Sequence, residues 1–279
     1  MASTHSPDPA ADPDSMETPE TDLRRDFAGR DGAAVVVGAS GGLGQEIARM
    51  LARRGSDVAL TYHSSPAAVD SLVAEARGLG VRARGYEIDV EDMVGSAAVV
   101  EEVVDYFGGI HTVVYAAGPH VPMNYLSAVQ PWHLQSQLHT DVAGCYGVLH
   151  AALPHLRGSA GSFVAVTTAA TSRYPSRDGL SAIPKGAVEQ LVKAVAVEEG
   201  RFGVRANCVG PGMLTDGMAE RLITSGDLDE KALAVAERNI PLRRFGRARD
   251  IAEAVCFLAS DRAGFISGQK LDVDGGYGA

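Results

Sequence analysis

The 279 residues are 46% apolar and 22% charged, a length and balance that suit one large α/β domain plus a tail better than two small domains. A formal net charge of −10 leaves no basic field for a nucleic-acid backbone, so no nucleic-acid partner is expected. No apolar run reaches the ~18 residues of a membrane span, and the N-terminus lacks a basic-then-apolar leader pattern, so no membrane association and a cytoplasmic location are expected.

Residues 1–27 are rich in Pro, Asp, Ser and Thr and poor in large apolar side chains, the composition of a disordered acidic tail that cannot repay the entropy of ordering. The folded domain is expected over 28–279. Within it, short apolar runs predict strands over Ala33–Val37, Asp57–Tyr62, Val81–Ile88, Ile110–Tyr115, Ser162–Val166, Val204–Val209 and Lys270–Val273. Helical periodicity covers Gln45–Arg54, Ala67–Leu79, Met93–Phe107, Pro131–Leu156, Ser181–Glu199 and Arg249–Ala259. Alternation of this kind predicts a Rossmann fold, a doubly wound seven-stranded parallel sheet with helices on both faces and its ligand at the carboxyl ends of the strands. The polar stretch 215–240 interrupts the alternation and is expected to be a lid over a substrate pocket. Cys145, Cys208 and Cys256 lie far apart with no C-x-x-C spacing, which predicts neither a disulfide framework nor a metal site.

The first strand runs into Gly38-Ala39-Ser40-Gly41-Gly42-Leu43-Gly44 and then a helix, the order a dinucleotide site requires. Glycines here let the chain turn tightly and let backbone N–H groups approach a pyrophosphate, to which a helix N-terminus adds positive potential. From about Asp31 to Ala279 the chain resembles the classical short-chain dehydrogenase/reductase family, whose glycine motif T-G-x-x-x-G-x-G appears with Val37 in place of Thr. Asp89-Val90 looks like that family's adenine contact and Ala116-Ala117-Gly118 like its N-A-G. Asn207-Cys208-Val209-Gly210-Pro211-Gly212-Met213-Leu214-Thr215 resembles its N-x-V-x-P-G-x-x-T, which implies that Pro211, Gly212, Met213 and Thr215 border the nicotinamide. Pro241–Gly246 and Ser267–Gly276 resemble its C-terminal signatures, and the resemblance implies a homotetramer or homodimer.

A dinucleotide enzyme choosing NAD usually ends its second strand with an acid that binds the ribose 2′-OH. This strand ends in Tyr62-His63-Ser64, with no carboxylate and with several donors, so NADP(H) is expected in preference to NAD(H).

The family's centre is an Asn, a Ser and a Y-x-x-x-K pair. Only the lysine, Lys185, stands unchanged; the tyrosine position is Ser181, the serine position Thr168 and the asparagine position Asp141. A phenol beside an ammonium is an effective proton donor to a carbonyl oxygen, whereas an aliphatic hydroxyl is a far weaker acid. Tyr174, in the loop before the Ser181 helix, is one candidate replacement; its alternative is an ordinary surface tyrosine. The segment from Thr167 to Lys185 also looks like 2,4-dienoyl-CoA reductases, which carry Ser-x-x-x-Lys, but the tyrosine expected after the Thr-Thr pair is Ala170 here. Hydrogen bonds from Thr168 and Ser181 would still suit an enolate-like oxygen. An unpaired buried carboxylate is costly, so Asp141 is expected to meet Lys185. Lys185 is also expected to hold the nicotinamide ribose. Trp132, with Pro122, Met123, Tyr125 and Leu126, either lines an apolar substrate pocket or packs in the core, the latter being the commoner fate of a single Trp.

These readings favour an NADP(H)-dependent oxidoreductase acting on a carbonyl or enone of a small to medium apolar molecule. Two alternatives keep the fold: a non-redox cyclase, dehydratase or isomerase, and a catalytically idle nucleotide-binding protein.

Overall fold

A computed structural model of the protein describes residues 25–119, 121–215 and 230–279. Seven parallel strands form one sheet: β1 (Ala33–Val37), β2 (Val58–Tyr62), β3 (Ala83–Glu87), β4 (Ile110–Tyr115), β5 (Ser162–Val166), β6 (Arg205–Pro211) and β7 (Lys270–Val273). Their order is β3-β2-β1-β4-β5-β6-β7, so the winding reverses between β1 and β4 and opens a crevice above their carboxyl ends. The central strands are buried along their whole length because both faces of a parallel sheet are covered; β1 reads Ala-Ala-Val-Val-Val and every residue is buried.

One face carries α1 (Gly42–Arg53), α2 (Pro66–Gly78) and the last helix, which packs along α1; its core includes Ile47, Leu51, Leu60, Leu72, Ile251 and Leu258. The other face carries α3 (Met93–Phe107), α5 (Gly144–Ser159) and α6 (Gly179–Glu199) over Val103, Phe107, Tyr115, Leu149, Phe163 and Val192. Asp92 begins α3 by accepting from the N–H groups of Val94 and Gly95 at 3.1 and 3.0 Å, and Gly108, at φ 85°, ends it. Between α3 and α6 lies α4 (Pro131–Leu138); α7 (Glu230–Asn239) and α8 (Ala248–Ala259) follow β6.

Three expectations change. The helical stretch over Pro131–Leu156 is two helices, α4 and α5, joined by a π-helical turn at His139–Ala143. Apolar periodicity cannot register that one-residue widening, and π-bulges recur where a side chain must be re-aimed. The tail ends earlier than residue 27: Phe27 is buried and stacked on His111 at 5.9 Å between ring centres, and Asp26 pairs with the buried Arg54 at 3.1 Å. Residues 1–24 of the expected tail lie outside the described residues. Trp132 is not in the core; it is 61% exposed, and Tyr125 and Leu126 are exposed as well. Most of the expected lid, 216–229, also lies outside the described residues, while α7 follows it. No described helix is long and apolar enough to cross a membrane. Cys145, Cys208 and Cys256 are buried free thiols, each pushed up to about 12 chiefly by burial.

Candidate active site

The crevice begins at the glycine loop. Thr61 of β2 holds it from beneath: its Oγ1 accepts from the Gly38 N–H at 3.2 Å and its carbonyl from the Ala39 N–H at 2.9 Å. A methyl at Gly38, where φ is 84°, would stand 2.8 Å from Ala117 backbone, and one at Gly44 would stand 2.1 Å from the Gly38 carbonyl oxygen. Those two glycines permit close backbone packing. Gly42 differs, because a methyl there would meet nothing within 4 Å. Gly41, the N-cap of α1, brings no side-chain acceptor, so the first-turn N–H groups face open space beside Ser40 and Leu43. Open space over an uncapped helix N-terminus fits a dinucleotide pyrophosphate.

The remaining expected cofactor positions ring the same strand ends. Tyr62, His63 and Ser64 close β2, with His63 and Ser64 exposed. Asp89 is exposed, and its Oδ1 accepts from the Glu91 N–H at 2.9 Å, which shapes the turn carrying Val90 after β3. Ala116, Ala117 and Gly118 extend β4, and the Ala116 N–H bonds the Val37 carbonyl at 2.9 Å. At the end of β6, Gly212 donates to Val273 at 3.0 Å, Met213 accepts from Gly246 at 2.9 Å, and Thr215 donates its N–H to Gly246 at 2.9 Å. These two crossings lash the Pro211–Thr215 segment to β7 and to the loop before α8.

Beyond the loop stands the ionic centre. The π-turn brings Asp141, 2% exposed, toward α6, where its Oδ1 accepts from Lys185 Nζ at 3.3 Å. Its other oxygen, Oδ2, accepts from Gln137 Nε2 at 3.0 Å, and Lys185 also donates to the Ala117 carbonyl at 3.4 Å. The expected meeting of Asp141 and Lys185 is therefore present, with Gln137 as a third member. The buried Tyr115 hydroxyl lies beneath, donating to the Thr140 carbonyl at 3.5 Å; burial, then Cys145 and Asp141, push its pKa up.

Ser181 precedes Lys185 by about one turn of α6, and its hydroxyl has no partner among the described residues. Thr168, at the end of β5, accepts from the Ala170 N–H at 3.1 Å and keeps its own O–H proton available. Thr168 and Ser181 do not hydrogen-bond each other. Pro184 lies inside α6 rather than at its first residue, and its missing N–H leaves the Leu180 carbonyl without the usual helical donor. Tyr174 is 55% exposed, with its hydroxyl about 3.0 Å from where a Gly179 methyl would stand, at the first turn of α6. It thus lies at the start of α6 and makes no hydrogen bond to Ser181.

Two residues went unread in the sequence. Gln137 sits four before Asp141, the spacing at which helical side chains meet, and that spacing was the available signal. Asp178, the N-cap of α6, carries a carboxyl that burial pushes up to about 6. Its signal was an acid three residues before Ser181.

A family model described as Enoyl-(Acyl carrier protein) reductase matches residues 38–278. The 3-oxoacyl-[acyl-carrier-protein] reductase FabG of Staphylococcus aureus is 32% identical over 245 residues, 88% of this chain and 97% of that protein. Among solved structures, a blue fluorescent protein from a metagenomic library in complex with NADPH superposes with a TM-score of 0.81 at 27% identity, over 91% of this chain and 100% of that one. Carveol dehydrogenase from Mycobacterium avium in complex with NAD gives 0.82 at 25% identity, over 90% and 98%. Strand order, glycine loop and full-length similarity agree, and the chain belongs to the short-chain dehydrogenase/reductase family of oxidoreductases.

Proposed function

We propose that this protein is an NADP(H)-dependent reductase of a carbonyl or conjugated enone in a small to medium apolar molecule. The observation that carries the reading is the placement of the Lys185 ammonium between Asp141 and the Ala117 carbonyl, beside Gly118 at the end of β4. The similarity to a 3-oxoacyl reductase and to NADPH- and NAD-bound structures supports nicotinamide use. A bound reduced nicotinamide would supply hydride. Gly38 to Gly44 would hold its pyrophosphate, Asp89 and Val90 its adenine, Lys185 its ribose, and Pro211 to Thr215 its amide end.

The preference for NADP(H) rests on the tip of β2, where exposed His63 and Ser64 offer donors and no carboxylate opposes a 2′-phosphate. Lys185 supplies the positive potential that draws the reacting oxygen, while Thr168 and Ser181 offer it hydrogen bonds. Exposed Trp132, Tyr125 and Leu126 form the apolar rim that would take the substrate's hydrocarbon. Assembly as a homotetramer or homodimer in the cytoplasm belongs to the same reading, and sedimentation in solution tests the assembly.

The decisive experiment is thermal melting with NADPH, NADH or neither, followed by NADPH oxidation over a panel of apolar ketones and enones. A larger shift with NADPH and stoichiometric oxidation are expected. Turnover without nucleotide consumption would assign the centre to non-redox proton transfer instead, a reading favoured by the serine at position 181.

A further inference from the structure

A reductive centre needs a group that gives up a proton, and the Ser181 hydroxyl is a poor one. We propose that Asp178 is the proton donor of this centre, an assignment that rests on the reductase reading above. Asp178, the N-cap of α6, stands three and seven residues before Ser181 and Lys185, which at 100° per residue confines the three to an arc of about 60°. Lys185 marks that stripe as the one facing the cleft, because its Nζ reaches Asp141 and the β4 carbonyl.

The ordinary role of an aspartate in this place is to cap the helix, yet the Asp178 side chain accepts no capping hydrogen bond. Among the described residues it pairs with no cation either. The backbone of Asp178 instead bridges Asn124, and Leu126 and the Tyr174 hydroxyl crowd the adjoining Gly179. A half-buried carboxyl without a hydrogen-bonding or charged partner among the described residues is poorly solvated. Burial accounts for its elevation, with no charged contribution from Lys185, Glu189, Lys193, Glu198 or Glu199 of α6, nor from Arg177, Tyr174, Tyr125 or His133 of the segments around it. A carboxylic acid poised near neutrality suits general-acid duty.

In the step, a bound reduced nicotinamide would supply hydride to the carbonyl carbon and the π pair would move to oxygen. That oxygen takes the Asp178 proton, leaving an alcohol, oxidised nucleotide and an Asp178 carboxylate that solvent reprotonates. Ser181 then positions the oxygen by hydrogen bonding.

The test compares the unaltered chain with Asp178→Asn, which keeps the backbone and side-chain size. Asp178→Asn is expected to lower kcat for ketone reduction by roughly 100-fold while leaving the NADPH melting shift in place. Carboxyl ¹³C NMR of the nucleotide-free protein is expected to show a resonance titrating near pH 6 that Asp178→Asn removes. Adding Ser181→Tyr to Asp178→Asn is expected to restore part of the rate, since a phenol then supplies the proton. Full activity of Asp178→Asn, or an Asp178 resonance titrating in the usual carboxylate range, would overturn the assignment while the reductase reading stands. Absence of NADPH-dependent reduction by the unaltered chain would overturn the reductase reading and the assignment with it.

Discussion

Lys185 and Asp141 form a largely buried ion pair, 3.3 Å from Nζ to Oδ1, between the second turn of α6 and a π-turn that no regular helix would supply. Removing one member leaves the other charged and buried. Lys185→Met is therefore expected to cost about 3 kcal/mol, because the lost partner exposes the desolvation penalty of Asp141. Asp141→Asn keeps the hydrogen-bonding shape and is expected to cost about 1 kcal/mol. Urea unfolding, read as a shift in midpoint at constant slope, measures both.

His111 makes the acid limb of stability predictable. It is buried in β4 with Nδ1 3.0 Å from Thr112 Oγ1 and Nε2 3.3 Å from Ser56 Oγ, and burial, aided by Arg30, pushes its pKa down to about 4. The unfolded chain binds a proton there at about 6.5 and the folded chain resists it. The stabilisation is thus full above pH 6.5 and lost as pH falls toward 4, by about 3 kcal/mol. The stability difference between wild type and His111→Gln, followed from pH 7 to 4, is expected to shrink or reverse because glutamine cannot titrate.

The glycine loop separates fold from ligand. Gly44→Ala would push a methyl to 2.1 Å from the Gly38 carbonyl oxygen and is expected to destabilise by about 3 kcal/mol or more. Gly42→Ala meets nothing within 4 Å, so its melting temperature without nucleotide is expected to stay level or rise slightly. Its NADPH-induced shift is expected to fall, since the methyl enters the space assigned to the pyrophosphate. Equal shifts in Gly42→Ala and wild type would remove that assignment.

Trp132 holds little of the fold together at 61% exposure. Trp132→Ala is expected to change stability by less than about 0.5 kcal/mol. If its indole borders the substrate, KM for an apolar ketone rises roughly tenfold with kcat little changed. Steady-state kinetics beside a melting curve distinguish this from a packing role, which would move stability instead.

The inner strands of this fold were readable because a parallel sheet covered on both faces favours apolar residues along each strand, as in β1 and β5; β1, β4, β5 and β7 span the residues expected, although β7 reads Lys-Leu-Asp-Val and is only partly buried. The glycine loop was readable because backbone sterics constrain residue type directly: a methyl at Gly38 or Gly44 collides with backbone. The π-turn escaped because it changes one hydrogen-bond register while leaving the apolar spacing of α4 and α5 intact. Trp132 misled because hydrophobicity records what a side chain favours, and this indole stands 61% exposed instead.

Local chain chemistry therefore carried the element order, the sheet and the loop at the strand ends. Lys185, Ser181, Thr168 and Asp141 could be aligned only through the resemblance to the family's motif, and the cost of a buried unpaired carboxylate already demanded a partner for Asp141. Tertiary packing decided how that charge is held, with Gln137 joining Lys185 around Asp141, and it left the Asp178 carboxyl half-buried and uncapped beside Gly179. The physical reason is that secondary structure follows from short-range sterics and periodicity. The ionisation of a carboxyl depends on solvent excluded by segments such as Asn124 to Leu126, more than fifty residues away in the chain.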